Sequence, residues 1–138
     1  SVLKRSIPIL LLVIENDTSL LLATHVFKEE INVDLLDLFS GSLSAVDSIL
    51  KEVVSEKGSL KTIQKDFYTI LLEQRELVTA VLIVDHASID IRRRLQDFVR
   101  DFIKTYKTAL ENRRFYSGSV NHFKLEPFLD KFKYLKKY

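Results

Sequence analysis

The sequence predicts an α/β (α+β) domain. Its core is a five-stranded antiparallel sheet with one helix on one face and two on the other, in the order β-β-α-β-β-β-α-α. Three observations predict it. Two strand-length runs, Ile7–Ile14 and Thr79–Val84, are apolar at both alternating positions, which marks strands covered on both sides. Ile91, Leu95, Phe98, Phe102, Tyr106 and Ala109 recur at three- and four-residue steps, giving a helix one apolar stripe. The chain has 138 residues with only 3 Gly and 2 Pro, enough for a single core with few interruptions.

The elements follow in order. A first strand over Ile7–Glu15 and a second over Ser19–Phe27 flank the polar turn Glu15-Asn16-Asp17-Thr18-Ser19, so they read as a buried hairpin. Lys4 and Arg5 before this apolar run imitate a signal peptide, but the run is too short to span a bilayer. Asn16-Asp17-Thr18 matches a glycosylation sequon and is read as accidental. Asn32 caps a first helix, with Asp34 in its first turn, that runs to about Glu56 and ends on a C-cap at Lys57-Gly58. Three strands follow at Ser59–Lys65, Phe67–Gln74 and Leu77–Asp85, with Arg75-Glu76 as a tight turn. Ser88 caps a second helix to about Glu111. The loop holding Tyr116-Ser117-Gly118-Ser119 leads to a last helix over Leu125–Lys136, with Leu125, Phe128, Phe132 and Leu135 as its stripe. The chain opens at Ser1 and holds no methionine, so residues 1–138 read as one domain taken from a longer protein.

Composition narrows the chemistry. Without cysteine there is no disulfide, thiolate nucleophile or cysteine metal site, which fits a cytoplasmic setting. No GxxxxGK[ST] or GxGxxG loop is present, which excludes the common phosphate-cradling motifs. Gly41-Ser42-Leu43-Ser44-Ala45 begins like a nucleophile elbow, but it lacks the closing glycine and lies in a helical pattern. Its small residues are read as letting the helix bend or approach the sheet closely. His25, His86 and His122 are scattered, without metal-ligand spacing. Asp85-His86 is the one pair to weigh as acid/base machinery, and a strand-to-helix corner uses Asp and Ser to organise its turn. Glu29-Glu30 and Glu73/Glu76 are assigned to solvated turns. No residue is assigned a catalytic, cofactor or metal role.

Charge is uneven. Residues 113–138 carry seven Lys/Arg against two acids, within a net charge of +2. Arg113-Arg114-Phe115-Tyr116 with Lys131, Lys133, Lys136 and Lys137 mixes basic and aromatic residues as nucleic-acid sites do. Phe128 and Phe132, however, fall on the apolar stripe, and Arg92-Arg93-Arg94 fan out in different directions, so nucleic-acid binding is disfavoured. A ligand-sensing α/β domain is the alternative, disfavoured by strands with few polar interruptions.

Several segments carry a family resemblance: Ile9-Leu10-Leu11-Leu12-Val13-Ile14, Phe67-Tyr68-Thr69-Ile70-Leu71-Leu72-Glu73, Leu82-Ile83-Val84-Asp85 and the helix Leu95–Tyr106. With the element order, they resemble the longin domain, a relative of the roadblock domain. The resemblance implies a sheet ordered 2-1-5-4-3 and a non-enzymatic platform in trafficking or signalling complexes. Such platforms bind another longin/roadblock-like protein, as homo- or heterodimers, or a small GTPase. They meet membranes only through partners, and archaeal relatives carry them too.

The first helix suggests where a partner sits. Leu35, Phe39, Val46 and Val53 mark the centre of its apolar arc, Leu36, Leu43 and Val54 one margin, and Leu38 and Ile49 the other. The arc spans roughly 160° by ideal helix geometry, where covering a sheet takes about 100°. The margin Leu36, Leu43 and Val54 is therefore expected to join Lys61, Ile63 and Lys65 of the third strand in one interface, the edge lysines restraining indiscriminate pairing.

Overall fold

β1 (Pro8–Glu15) and β5 (Val78–Val84) lie side by side at the centre of an antiparallel sheet. This computed structural model describes residues 5–54, 58–115 and 123–133. Outside the central pair lie β2 (Leu21–Val26) on one flank, and β4 (Thr69–Gln74) then β3 (Thr62–Gln64) on the other, giving the order β2-β1-β5-β4-β3. The two-faced apolar runs thus occupy the two inner strands, where both faces must be dry. Leu11, Val13, Val78, Ala80, Leu82 and Val84 point to one face, and Leu10, Leu12, Ile14 and Val81 to the other.

The first face is covered by α2 (Ile89–Phe115) and a C-terminal 3₁₀ helix (Glu126–Phe132). Ile91, Leu95, Phe98 and Phe102 are fully buried there, as the stripe predicts. Phe98 and Phe102 stack at 5.7 Å between centroids and meet Phe128 at 5.7 and 5.8 Å, so aromatic packing joins the two helices. α2 is kinked at Tyr106 (φ −107°, ψ 19°), whose hydroxyl donates to the Lys124 carbonyl and accepts from the Lys124 amide. Ser88 Oγ accepts from the Ile91 amide at 3.1 Å, the expected cap.

The other face is covered by α1 (Leu36–Val54), entered through a 3₁₀ turn at Val33–Leu35 that Asn32 caps through the Asp34 amide. Some expectations change. The last helix is a 3₁₀ helix ending at Phe132, closed by three-residue bonds such as Phe128 N–H to Leu125 O, with Pro127 in its first turn. Lys57, half of the expected C-cap, lies outside the described residues, and Gly58 does not adopt the left-handed conformation such a cap uses. Gly41 faces open space, so close approach of α1 to the sheet rests on Ser40, buried with its hydroxyl on the Leu36 carbonyl. Glu73 is not in a solvated turn: it is buried in β4 and paired with Arg75 and Arg92.

Candidate partner-binding surface

The rotation of α1 decides which side chains reach outward. Leu36 and Leu43 are 7% and 6% exposed and pack with Leu10, Leu12, Ile70 and Leu72. They are the residues that seat the helix on the sheet, which corrects the expectation that they form an outward margin. In this rotation Asp47, one turn beyond Leu43, accepts from the Leu60 amide at 2.7 Å. The far margin and, apart from the half-buried Phe39 that packs on the core, the centre of the apolar arc are left outside. Leu38, Ile49 and Val53 are 68%, 59% and 75% exposed, and Leu35, Val46, Leu50 and Val54 are exposed as well. A helix side this apolar is unusual in water, since monomeric domains seldom leave large contiguous apolar patches.

β3 adjoins this helix at the sheet edge. Ile63 pairs with Ile70 and packs with the α1-side core, and strand alternation puts Lys61 and Lys65 on the same face as Ile63. Both lysines are exposed and Ile63 is half-buried. The structure therefore brings Val54, Lys61, Ile63 and Lys65 to one side of the molecule. Between the last turn of α1 and the approach to β3 runs a groove of about 310 Å³ lined by Leu50, Val54, Leu60 and Lys61. A second cleft, about 220 Å³, lies between α1 and the sheet beside Ser44, Asp47, Gln74 and Thr79. It falls below the roughly 300 Å³ at which small-molecule pockets begin.

The groups weighed for chemistry are engaged in the fold. Asp85 Oδ1 accepts from the Ile7 amide at 2.7 Å and from the His86 amide at 2.7 Å, and His86 Nδ1 lies 3.1 Å away. Burial pushes this carboxyl up, and the two amide hydrogen bonds outweigh it, holding it below the usual aspartate range. The pair braces the corner between β5 and α2. His25 stacks edge-on to Phe27 at 4.6 Å, and His122 lies outside the described residues. No group of three or more metal-binding side chains occurs among the described residues.

The basic residues disperse as expected. Arg92 reaches the sheet edge, Arg94 donates to the Lys131 carbonyl at 2.7 Å, and Arg93 is exposed. Arg113 pairs with Glu15 and Lys131 with Asp101, whose carboxyl the Lys131 hydrogen bond holds below its usual range. The side chains of Arg114 and Phe115, with Tyr116, Lys136 and Lys137, lie outside the described residues. The sequon asparagine is also engaged: Asn16 Nδ2 donates to the Arg75 and Glu76 carbonyls and Oδ1 accepts from Thr79.

Asp47 escaped the sequence reading, and Arg92 was read there without its contacts to β3 and β4. The available signal was a carboxylate inside the apolar stretch Leu43–Leu50, where an acid needs a partner.

A central antiparallel sheet with this strand order, one helix on one side and two on the other, is the longin/roadblock fold. The solved structure of MglB from Myxococcus xanthus matches it with a TM-score of 0.54 and 14% identity, over 73% of this chain and 85% of that chain. No family model and no curated protein matches the sequence. Among the described residues no helix is long and apolar enough to cross a membrane.

Proposed function

We propose that the chain is a non-catalytic interaction module of longin/roadblock type. It binds a protein partner through the outer side of α1 and the adjoining β3 edge. The partner is another longin/roadblock-like domain or a small GTPase, in a trafficking or signalling complex in the cytoplasm, and any membrane contact is made through that partner. The observation that carries the reading is the exposed aliphatic side of α1, from Leu35 and Leu38 through Val46 and Ile49 to Val53. Burying that side against a partner removes it from water at about 25 cal/mol per Å². Ile63, flanked by Lys61 and Lys65, continues the surface onto the sheet and favours a partner with acidic residues.

The test replaces Leu38 and Val53 together by Glu. The double variant should keep the circular dichroism and melting of the parent. It should lose self-association in sedimentation velocity and binding to GDP- or GTP-loaded small GTPases of the same proteome. Association that persists unchanged would overturn the reading.

A further inference from the structure

The inward side of α1 changes character along its length. Leu36, Ser40 and Leu43 are buried against the sheet. Ser44, Asp47, Ser48 and Lys51 continue that side at three- and four-residue steps, and all four line the cleft of about 220 Å³. The sheet beneath changes in step. Ile14, Thr79 and Gln74 lie opposite one another across β1, β5 and β4, so they share one face, that of Ile14 in the α1-side core. Two layers that elsewhere meet through aliphatic side chains meet here through hydroxyls, a carboxamide and an ion pair.

The fold does not use up these polar groups. Asp47 is engaged by the Leu60 amide at 2.7 Å and by Lys51 at 3.0 Å, and Thr79 donates to Asn16 at 2.7 Å. The side chains of Ser44, Ser48 and Gln74, in contrast, hydrogen-bond to no other residue among the described ones. Ser19, which also lines the cleft, holds a left-handed backbone at φ 62°, which glycine adopts freely and serine only under strain. Packing alone would favour aliphatic side chains along this stripe and glycine at position 19.

We propose that this cleft is a binding site for a small uncharged polyol. Serine hydroxyls and a carboxamide each donate and accept, as the hydroxyls of a polyol do. Lys51 and Asp47 cancel in charge and both Asp47 oxygens are engaged, so the site selects neither an anion nor a cation. Leu43, Leu60 and Leu72 supply an apolar floor for the C–H faces of the ligand. At about 220 Å³ the cleft is too small for a drug-sized molecule and has room for glycerol, erythritol or inositol. The site lies on the inward side of α1 and does not depend on the partner interface proposed above.

NMR titration of the whole chain with glycerol, erythritol and inositol tests this. At least one of them should give saturable shifts at Ser19, Ser44, Ser48 and Gln74, with Leu82 in the core and Val53 on the outer side unmoved. Acetate and methylammonium at the same concentrations should give none. Gln74→Leu and Ser44→Ala should each weaken binding about tenfold without lowering the melting midpoint, since each loses a hydrogen bond to the ligand and none within the fold. Ser19→Gly should raise the melting midpoint and weaken binding together. Shifts that rise linearly with all three polyols, or that persist unchanged in Gln74→Leu, would show that water alone fills the cleft and would overturn the site. Equal saturable binding of acetate or methylammonium would overturn the uncharged class of ligand.

Discussion

Arg113, near the end of α2, closes on Glu15, the last residue of β1: its Nε donates to Oε2 at 3.0 Å and its Nη2 to Oε1 at 3.3 Å. Both side chains are largely withdrawn from solvent, at 18% and 10% exposure, and Thr18 adds a hydrogen bond to the same carboxylate at 2.6 Å. Burial pushes the Glu15 carboxyl up, and the hydrogen bonds from Arg113 and Thr18 outweigh it, so its pKa is depressed.

A depressed carboxylate stabilises the fold above its unfolded-state value and loses that contribution as pH falls through the folded one. Urea unfolding of the parent chain should therefore weaken as pH drops below the ordinary glutamate range. Arg113→Gln should cost about 1–3 kcal/mol at neutral pH and make the acid side of the stability profile shallower. An unaltered acid profile in the variant would show that Glu15 draws its stabilisation elsewhere.

The two sides of α1 should respond oppositely to truncation. Leu43→Ala removes a side chain packed against Leu12 and Leu72 and should cost about 2–4 kcal/mol in chemical denaturation. Val53→Ala, on the outward side, should change monomer stability by less than about 0.5 kcal/mol. Equal costs at the two positions would place the helix in a different rotation.

Gly41 sits inside α1 with nothing within 4 Å of an added methyl. Gly41→Ala should raise stability by about 0.5–1 kcal/mol, because alanine restricts the unfolded chain and favours helix. A shift of the melting midpoint in the other direction would mean that the small residue serves a contact outside the monomer.

How far the sequence was legible differs by element. The central strands announced themselves because two-faced apolar runs such as Leu10–Ile14 have only one place in a sheet, between layers. α2 was legible because its stripe is narrow, so Phe98 and Phe102 had one direction in which to point. α1 was not, because an arc that wide is compatible with several rotations. The rotation adopted is accompanied by a polar bond between Asp47 and Leu60, thirteen residues apart, which hydrophobic periodicity does not register. Glu73 was misplaced for a related reason: burial of a carboxylate depends on Arg75 and Arg92 converging on it, one of them from another layer. The three- and four-residue steps of the C-terminal segment point to an α-helix, so Leu125, Phe128 and Phe132 were correctly core while the helix type was not.

The pairing of β1 with β5 also governs how the chain comes together in time. Leu11 faces Leu82 across the two central strands, so the seam of the sheet joins segments separated by about half of the chain. The hairpin of β1 and β2 is made before the other strands, yet two strands alone are marginal in water. Ordering must wait for β4 and β5, and the loop to be closed then holds roughly 70 residues, an entropic cost that falls on the rate rather than on final stability. During that wait Leu11 and Val13, whose face is covered by α2 and the C-terminal 3₁₀ helix, have no cover. The β1–β2 hairpin is therefore the segment most open to unwanted association until α2 has been made.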